Sequence, residues 1–182
     1  MTEQHGMAEK LIDLLGAYTV EILNGTVLNN VSAGDITSSQ TDALQFIERH
    51  SGCSTTMLAE GLRISIPSAT RLVDRLVKKE ALERKEYAED RRQLELYLTD
   101  IGINIITEVR KARYDRVQKA LNTMVPTERE VFIKLLEKFI KGTICDISTL
   151  ENICLHCGTE HDEECIVDTM RKELGNKKEE IW

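Results

Sequence analysis

Apolar residues recur at helical spacing along most of this chain. Between residues 8 and 31 an apolar stripe advances by steps of four, three and four residues, through Leu11, Leu15, Tyr18 and Ile22. Such spacing places the stripe on one face of a single long amphipathic helix. Thr37 and Gln40 then form a capping-box pattern, which predicts the start of a second helix that ends at residues 51–52.

Two short helices are predicted to follow in close succession. The first covers residues 56–62, and the second begins after Ser65 and ends at Lys79. The second helix has one apolar face, and its other face carries Ser68, Arg71, Arg75 and Lys78. Two helices joined by so short a turn, the second with basic residues outside, are typical of a helix-turn-helix whose second helix reads DNA.

The periodicity changes after residue 82. Three leucines alternate with polar residues in the pattern of a half-exposed strand: Leu94, Leu96 and Leu98. Residues 82–86 are the predicted partner strand, and the charged loop 87–92 between the strands carries Arg91 and Arg92. A hairpin directly after a helix-turn-helix predicts a wing.

Two further helices are predicted after the wing. The first runs from Thr99 to Met124, and the second begins at Pro126 and ends at Gly142. The predicted fold class is therefore mainly α with a small β-hairpin wing, a winged helix-turn-helix with an α-helical dimerisation region. The first and fifth helices are longer than a small winged domain needs, so their apolar stripes require a partner surface, and we expect a homodimer.

Four short segments, in this order and spacing, resemble the signature segments of the MarR family of bacterial transcription regulators. They are residues 57–60 (Met-Leu-Ala-Glu), 64–76 (Ile-Ser-Ile-Pro-Ser-Ala-Thr-Arg-Leu-Val-Asp-Arg-Leu), 90–92 (Asp-Arg-Arg) and 98–102 (Leu-Thr-Asp-Ile-Gly). The resemblance implies one domain over residues 1–142, with its DNA-binding lobe at about 37–98. It also implies a dimeric repressor whose two recognition helices enter successive major grooves and which a small effector ligand releases.

The predicted contacts with double-stranded DNA combine short polar side chains with cations, because phosphates supply affinity and base edges supply specificity. They are Ser65, Ser68, Thr70, Arg71, Arg75 and Lys78 in the recognition helix, and Arg91 and Arg92 in the wing. Arg71 and Arg75, one helical turn apart, are the candidates for base contacts. The two wing arginines are predicted to enter the minor groove or to contact its flanking phosphates.

The net charge of −7 argues at first against a polyanionic partner. The excess acid, however, lies almost entirely in residues 145–182, which contain 4 Lys and Arg against 10 Asp and Glu. Between residues 63 and 92 the balance reverses, with 9 basic residues against 6 acidic ones. Overall acidity therefore does not exclude a local DNA-binding patch.

Residues 143–182 form a predicted acidic extension beyond the usual length of the family. It contains four of the five cysteines, separated by eight, two and seven residues: Cys145, Cys154, Cys157 and Cys165. Four soft ligands in so short a segment can close a tetrahedral site, which suits zinc or an iron–sulfur cluster. A dithiol redox switch is the alternative. The chain would then be a metal-, cluster- or redox-sensing regulator, with the extension as its sensor.

Other function classes find little support in the sequence. No apolar run approaches the roughly 18 residues of a membrane span, and the N-terminus lacks a signal-peptide pattern, so we expect no membrane partner and a cytoplasmic protein. No catalytic triad or phosphate-binding glycine loop is recognisable, so we expect no enzyme. Cys53, which stands alone before the helix-turn-helix, is predicted to be a semi-buried thiol rather than a peroxide sensor.

Overall fold

The computed structural model of the chain describes residues 3–21, 36–86, 94–156 and 165–179. Its elements, in chain order, are α1 (Glu3–Tyr18), α2 (Ser38–Arg49), α3 (Thr55–Gly61), α4 (Ile66–Lys78), β1 (Leu82–Glu86), β2 (Leu94–Leu98), α5 (Asp100–Leu121), α6 (Pro126–Thr143), α7 (Ile147–His156) and α8 (Ile166–Glu179). The predicted fold class, mainly α with a small β-hairpin, is confirmed. The chain divides into two compact units, Met1–Arg116 and Val117–Trp182. This division falls inside α5.

Helix α2 begins at the predicted capping box. The Thr37 hydroxyl accepts a hydrogen bond from the backbone N–H of Gln40 at 3.3 Å, and the Gln40 side-chain oxygen accepts one from the Thr37 N–H at 3.1 Å. These bonds satisfy backbone donors that have no partner inside the helix. Helix α1 begins earlier than predicted, at Glu3, and residues 22–31 of the long helix predicted there lie outside the described residues.

The first unit is built around the apolar faces of α2 to α5 and of β2. Its fully buried large apolar side chains are Leu44, Ile47, Leu58, Val73, Leu76, Leu96, Ile106 and Val109. Their spacing is that of amphipathic helices and an alternating strand, so these elements bury the faces that their sequences predict. Ile66, the first residue of α4, is an exception among the apolar residues of this helix, because its side chain is 53% exposed.

The wing is an antiparallel hairpin. Leu82 pairs with Leu98 and Glu86 pairs with Leu94, which confirms the two predicted strands. Cys53 adds a short third pairing on the other edge of β2, where the Leu96 N–H donates to the Cys53 carbonyl at 3.0 Å. The hairpin is thereby joined to the chain segment that precedes α3. The loop 87–93, which carries Arg91 and Arg92, lies outside the described residues.

The second unit contains α6 and a pair of shorter helices, α7 and α8. Ile144, Leu150 and Met170 form a buried apolar cluster against which Ile140, Val167 and Leu174 pack. Asp146 precedes α7 and caps its first turn, because its carboxylate accepts from the Thr149 backbone N–H at 2.8 Å and from the Thr149 hydroxyl at 2.7 Å. The hydrogen bond from the Thr149 N–H is the main cause that lowers the pKa of Asp146. Part of the cysteine-rich extension therefore folds around an apolar core of its own.

Among the described helices, none is both long and apolar enough to cross a membrane.

Candidate nucleic-acid interface

Helix α4 carries five of the six DNA contacts predicted for the recognition helix, and the sixth, Ser65, directly precedes it. Arg71, Arg75 and Lys78 are exposed, whereas Val73 and Leu76 on the opposite face are fully buried in the core of the first unit. The buried face holds the helix in place, so its backbone is already ordered before the basic face meets a ligand. The sequence-predicted basic face is thus present on the surface.

The hydroxyl groups at the start of α4 are used in building the helix. The Ser65 hydroxyl accepts from the Ser68 N–H at 3.3 Å and lies 2.8 Å from the Ser68 hydroxyl, while the Thr70 hydroxyl donates to the Ile66 carbonyl at 2.9 Å. Ser65 is therefore the N-cap of α4. Ser65 and Ser68 remain exposed beside the helix N-terminus, where backbone N–H groups favour anions such as phosphate.

The turn between α3 and α4 is closed by backbone hydrogen bonds. Arg63 has a left-handed conformation with φ of 53°, and the following Ile64 N–H donates to the Ala59 carbonyl at 2.9 Å. A left-handed backbone conformation is unfavourable for any residue that carries a Cβ atom, yet it lets the chain change direction within a few residues. The turn leaves the Arg63 side chain exposed close to the N-terminus of the recognition helix. Sequence reasoning did not single out this cation.

An ion pair joins the recognition helix to the wing. The Arg84 guanidinium on β1 lies 2.5 Å from the Asp74 carboxylate on α4. Asp74 is on the exposed side of α4, between Arg71 and Arg75 in sequence. The sequence analysis missed this pair, because nothing in a strand-helix pattern states which charges of the two elements meet. The pair ties the base of the wing to the basic face of α4.

A second polar cluster lies on the exposed face of the hairpin. The Lys85 ammonium is 2.6 Å from the Glu83 carboxylate and 4.8 Å from the centre of the Tyr97 ring. The Tyr97 hydroxyl donates to Glu95 at 2.7 Å, and this hydrogen bond is the main cause that raises the pKa of Tyr97. These contacts order the strands from which the predicted wing loop extends.

The comparison with known proteins agrees with this geometry. The MarR family model matches residues 36–94. An uncharacterised HTH-type transcriptional regulator of Bacillus subtilis, YfiV, is 25% identical over 114 residues, which are 61% of this chain and 71% of that protein. Together these matches support a MarR-family winged-helix regulator. Its function class is that of a MarR-family transcriptional regulator.

Solved structures show the same architecture. The wild-type apo form of MarR from Escherichia coli is similar with a TM-score of 0.59 and 26% identity, covering 72% of this chain and 94% of that one. A point mutant of MepR from Staphylococcus aureus, bound to an oligodeoxyribonucleotide, is similar with a TM-score of 0.63, covering 75% of this chain and 98% of that one. Its identity is 20%, so it supports the fold alone.

In this MarR-family chain the cysteines occupy different environments. Cys145 is exposed, Cys154 is half-buried and Cys165 is buried. Cys157 lies outside the described residues. Within the part of the chain that the structure describes, no three His, Cys, Asp or Glu side chains come together as a group that could hold a metal ion.

Helix α7 explains why Cys145 stands apart. Cys145 precedes the helix, whereas Cys154 lies in its last turn. At about 1.5 Å per residue, Ile147 and Cys154 are about 10 Å apart along the axis. Two sulfur atoms that share a zinc ion are at most about 4.6 Å apart, because each Zn–S bond is about 2.3 Å. Cys145 and Cys154 therefore lie at opposite ends of α7.

Cys53 has the surroundings of an unreactive thiol. It is 3% exposed, and burial raises its pKa to about 11, partly offset by a backbone hydrogen bond. A thiol reacts as its thiolate, which is scarce at neutral pH when the pKa is so high. Cys53 is more deeply buried than the semi-buried thiol that the sequence predicted, and this burial disfavours peroxide sensing at Cys53.

Proposed function

We propose that this regulator is a repressor that binds duplex DNA as a homodimer through α4. The observation that carries the proposal is the two-sided character of α4, in which a fully buried face backs an exposed row of Arg71, Arg75 and Lys78. A helix of this kind fits the major groove, where forked arginine side chains recognise guanine edges. The MepR mutant, which has a similar fold, was solved with an oligodeoxyribonucleotide bound, and the proposal of DNA as the ligand is consistent with that complex.

The residues of the interface have different proposed roles. Arg71 and Arg75 contact bases, and Lys78 contacts a phosphate, because a lysine supplies a point charge without the fork of arginine. Arg91 and Arg92 extend the contact from the wing to the minor groove or its flanking phosphates. Because the chain as a whole is acidic, affinity rests on these placed contacts more than on bulk charge. A protein with this role acts in the cytoplasm.

DNA selected from a random duplex library provides the ligand for testing these roles. We expect Arg71→Ala to weaken binding of the selected duplex by about 1–3 kcal/mol while leaving a scrambled duplex nearly unaffected. Lys78→Ala should weaken both duplexes and lower the slope of log K against log salt by about one. Fluorescence anisotropy measures both quantities. Lys172→Ala, which removes an exposed cation of α8, is the control and should change neither. Equal, salt-independent losses in the Arg71 and Lys78 variants would contradict this division of roles.

The proposed homodimer is supported by apolar side chains that the described part of the chain leaves uncovered. On α1 these are Met7, Leu11, Ile12, Leu14 and Leu15, and on α6 they are Val131, Phe132, Ile133, Leu135 and Phe139. Each is at least 41% exposed. Exposed apolar surface on this scale is rare on a monomer and marks an interaction surface. A second copy of the chain is the partner we propose for both helices.

A buried amide on α2 and a half-buried arginine on α5 support the proposal that a small anionic effector releases the DNA. Gln45 is 1% exposed, and its side-chain N–H₂ group has no hydrogen-bond partner among the described residues. Arg113 lies across from α2, where burial lowers its pKa and nearby Asp42 partly restores it. A buried donor without a partner costs about 1–3 kcal/mol, which a ligand acceptor can recover. We propose that a carboxylate ligand binds here.

Thermal shift measurements with a panel of aromatic and aliphatic carboxylates test this site. A carboxylate that binds should raise the melting temperature and weaken binding of the selected duplex. Arg113→Met and Gln45→Leu should abolish the shift but keep DNA binding. A carboxylate that shifts these variants as much as the wild type would place its site elsewhere.

A further inference from the structure

Two cysteines flank the connection between α7 and α8. Cys154 lies in the last turn of α7, and Cys165 directly precedes the first residue of α8. Leu150 and Met170 belong to the buried cluster through which these helices pack. Cys154 follows Leu150 by four residues, so both side chains lie on the same face of α7. The face of α7 that meets α8 therefore carries a thiol at its connection end.

Cys165 is held at the matching end of α8. It is 9% exposed, and its carbonyl accepts from the Thr169 N–H at 3.1 Å and from the Thr169 hydroxyl at 3.2 Å. These bonds attach Cys165 to the first turn of α8. Packed helices lie 8–10 Å apart, and facing Cα atoms can approach to about 5 Å because each lies about 2.3 Å from its axis. That spacing lets two cysteine side chains reach one ion.

We propose that the thiolates of Cys154 and Cys165 bind a zinc ion at the connection end of the α7–α8 pair, and that Cys145 is not a ligand. Zinc prefers thiolate sulfur in tetrahedral sites, and each thiol releases its proton when it binds. The surrounding sequence is suited to a cation, since residues 145–182 contain 10 acidic against 4 basic residues.

The bound ion would stabilise the pairing of α7 with α8. The same pairing reaches α6, because Ile140 packs on the cluster and Lys141 makes ion pairs with Glu137 on α6 and Glu173 on α8. Metal binding is therefore linked to the conformation at the end of α6. The further consequence, that zinc stabilises the dimer, rests on the proposed role of α6 in dimerisation. The zinc site itself does not depend on that role or on DNA binding.

Cobalt substitution in the full-length protein tests the site directly. The protein is purified without oxygen in the presence of a reductant, its metal content is measured, and the metal-free form is titrated with Co²⁺. We expect one zinc per chain and a thiolate-to-cobalt charge-transfer band in the near ultraviolet. Cys154→Ser and Cys165→Ser should each lose at least about tenfold in zinc affinity. Cys145→Ser and Cys53→Ser are the controls and should bind zinc as the wild type does.

Cys154→His keeps the test decisive if the serine variants fail to fold. Histidine is also a zinc ligand, so this variant should retain zinc but show a weaker charge-transfer band. Far-ultraviolet circular dichroism identifies any variant that has unfolded. The proposal is overturned if Cys145→Ser abolishes binding as fully as Cys154→Ser, or if the folded chain binds no zinc. A brown protein that contains iron and sulfide would show an iron–sulfur cluster in place of zinc, and this result would also overturn the proposal.

Discussion

Two glycines of this chain, Gly102 and Gly142, differ in what surrounds them. A Cβ atom added to Gly102 would lie 2.2 Å from the Ala81 carbonyl oxygen, whereas one added to Gly142 meets no atom of the described residues within 4 Å. Gly102 lies in the first turn of α5 and allows the helix to pass close to the chain between α4 and β1. Its role is therefore close backbone packing, which a side chain of any kind would disturb.

We expect Gly102→Ala to lower the free energy of unfolding by about 1–3 kcal/mol, because a backbone oxygen cannot move aside as a flexible side chain can. Gly142→Ala is the matched control in another helix. It should leave stability unchanged or raise it by up to about 1 kcal/mol through helix propensity. Urea unfolding of both variants measures the difference. A loss that is the same in both would show that the contact with Ala81 has no special role.

The buried Cys53 thiol predicts a stability change at alkaline pH. Its pKa is about 11 in the folded chain against 9.0 for an ordinary thiol, so the unfolded chain loses this proton first as pH rises. The contribution of this thiol to the free energy of unfolding should therefore be fully present below about pH 9. It should fall by up to about 2 kcal/mol as the pH rises towards 11. Cys53→Ala should lack this part of the pH dependence. Denaturant unfolding at a series of pH values from about 8 to 11 tests it, and parallel curves for the two proteins would refute the assignment.

At the scale of elements, variants of the Asp74–Arg84 ion pair can show whether the pair positions the wing or acts on DNA only through its charges. Bulk electrostatics predicts that loss of an acid near DNA strengthens binding and that loss of a base weakens it. If the pair holds the wing against α4, both Asp74→Asn and Arg84→Ala should weaken binding of the selected duplex, by about tenfold. Asp100→Asn, at the start of α5, removes the same charge from an exposed residue as a control. Tighter binding by Asp74→Asn would mean that the ion pair does not position the wing.

The elements themselves show which features the sequence makes predictable. The capping box at Thr37 and the N-cap at Ser65 act within one helical turn, so residue spacing alone located both helix starts. The hairpin pairing of residues 82–86 with 94–98 followed from alternation and from the polar loop between the strands. The third pairing, of Cys53 with Leu96, could not be predicted, because a single-residue bridge has no periodicity to recognise.

At the scale of the whole molecule, the uncovered apolar face of α6 predicts a dimer that a single charge should disrupt. Leu135 is 61% exposed, and its replacement by glutamate would place a carboxylate in the proposed interface. We expect the Leu135→Glu substitution to shift the monomer–dimer equilibrium towards the monomer. The variant protein should lose most of the affinity for the selected duplex. Light scattering coupled to size-exclusion chromatography measures the mass. Lys134→Glu, on the neighbouring exposed position, should remain a dimer. A monomeric wild type would remove the basis of this prediction.

The cysteine-rich extension shows how tertiary structure changes a sequence-based hypothesis. Four clustered cysteines predicted one metal site, and residue spacing alone could not separate zinc, an iron–sulfur cluster and a redox dithiol. Helix α7 separates Cys145 from Cys154, while the pairing of α7 with α8 leaves Cys154 and Cys165 at one end. The ligand set that we propose, Cys154 and Cys165, is therefore smaller than the four cysteines that the sequence suggested.

The sequence by itself determined the order and type of the elements from α1 to α6, the exposed basic face of α4 and the resemblance to the MarR family, because these depend on periodicity and on interactions within a few residues. It did not predict α7 and α8. Only the tertiary structure decided which distant groups meet. Arg84 meets Asp74, the backbone at Gly102 approaches Ala81, and a Cβ at Gly61 would lie 2.0 Å from the Phe46 ring. Such contacts depend on how whole elements pack, and chain packing brings together residues whose sequence separation carries no periodic signal.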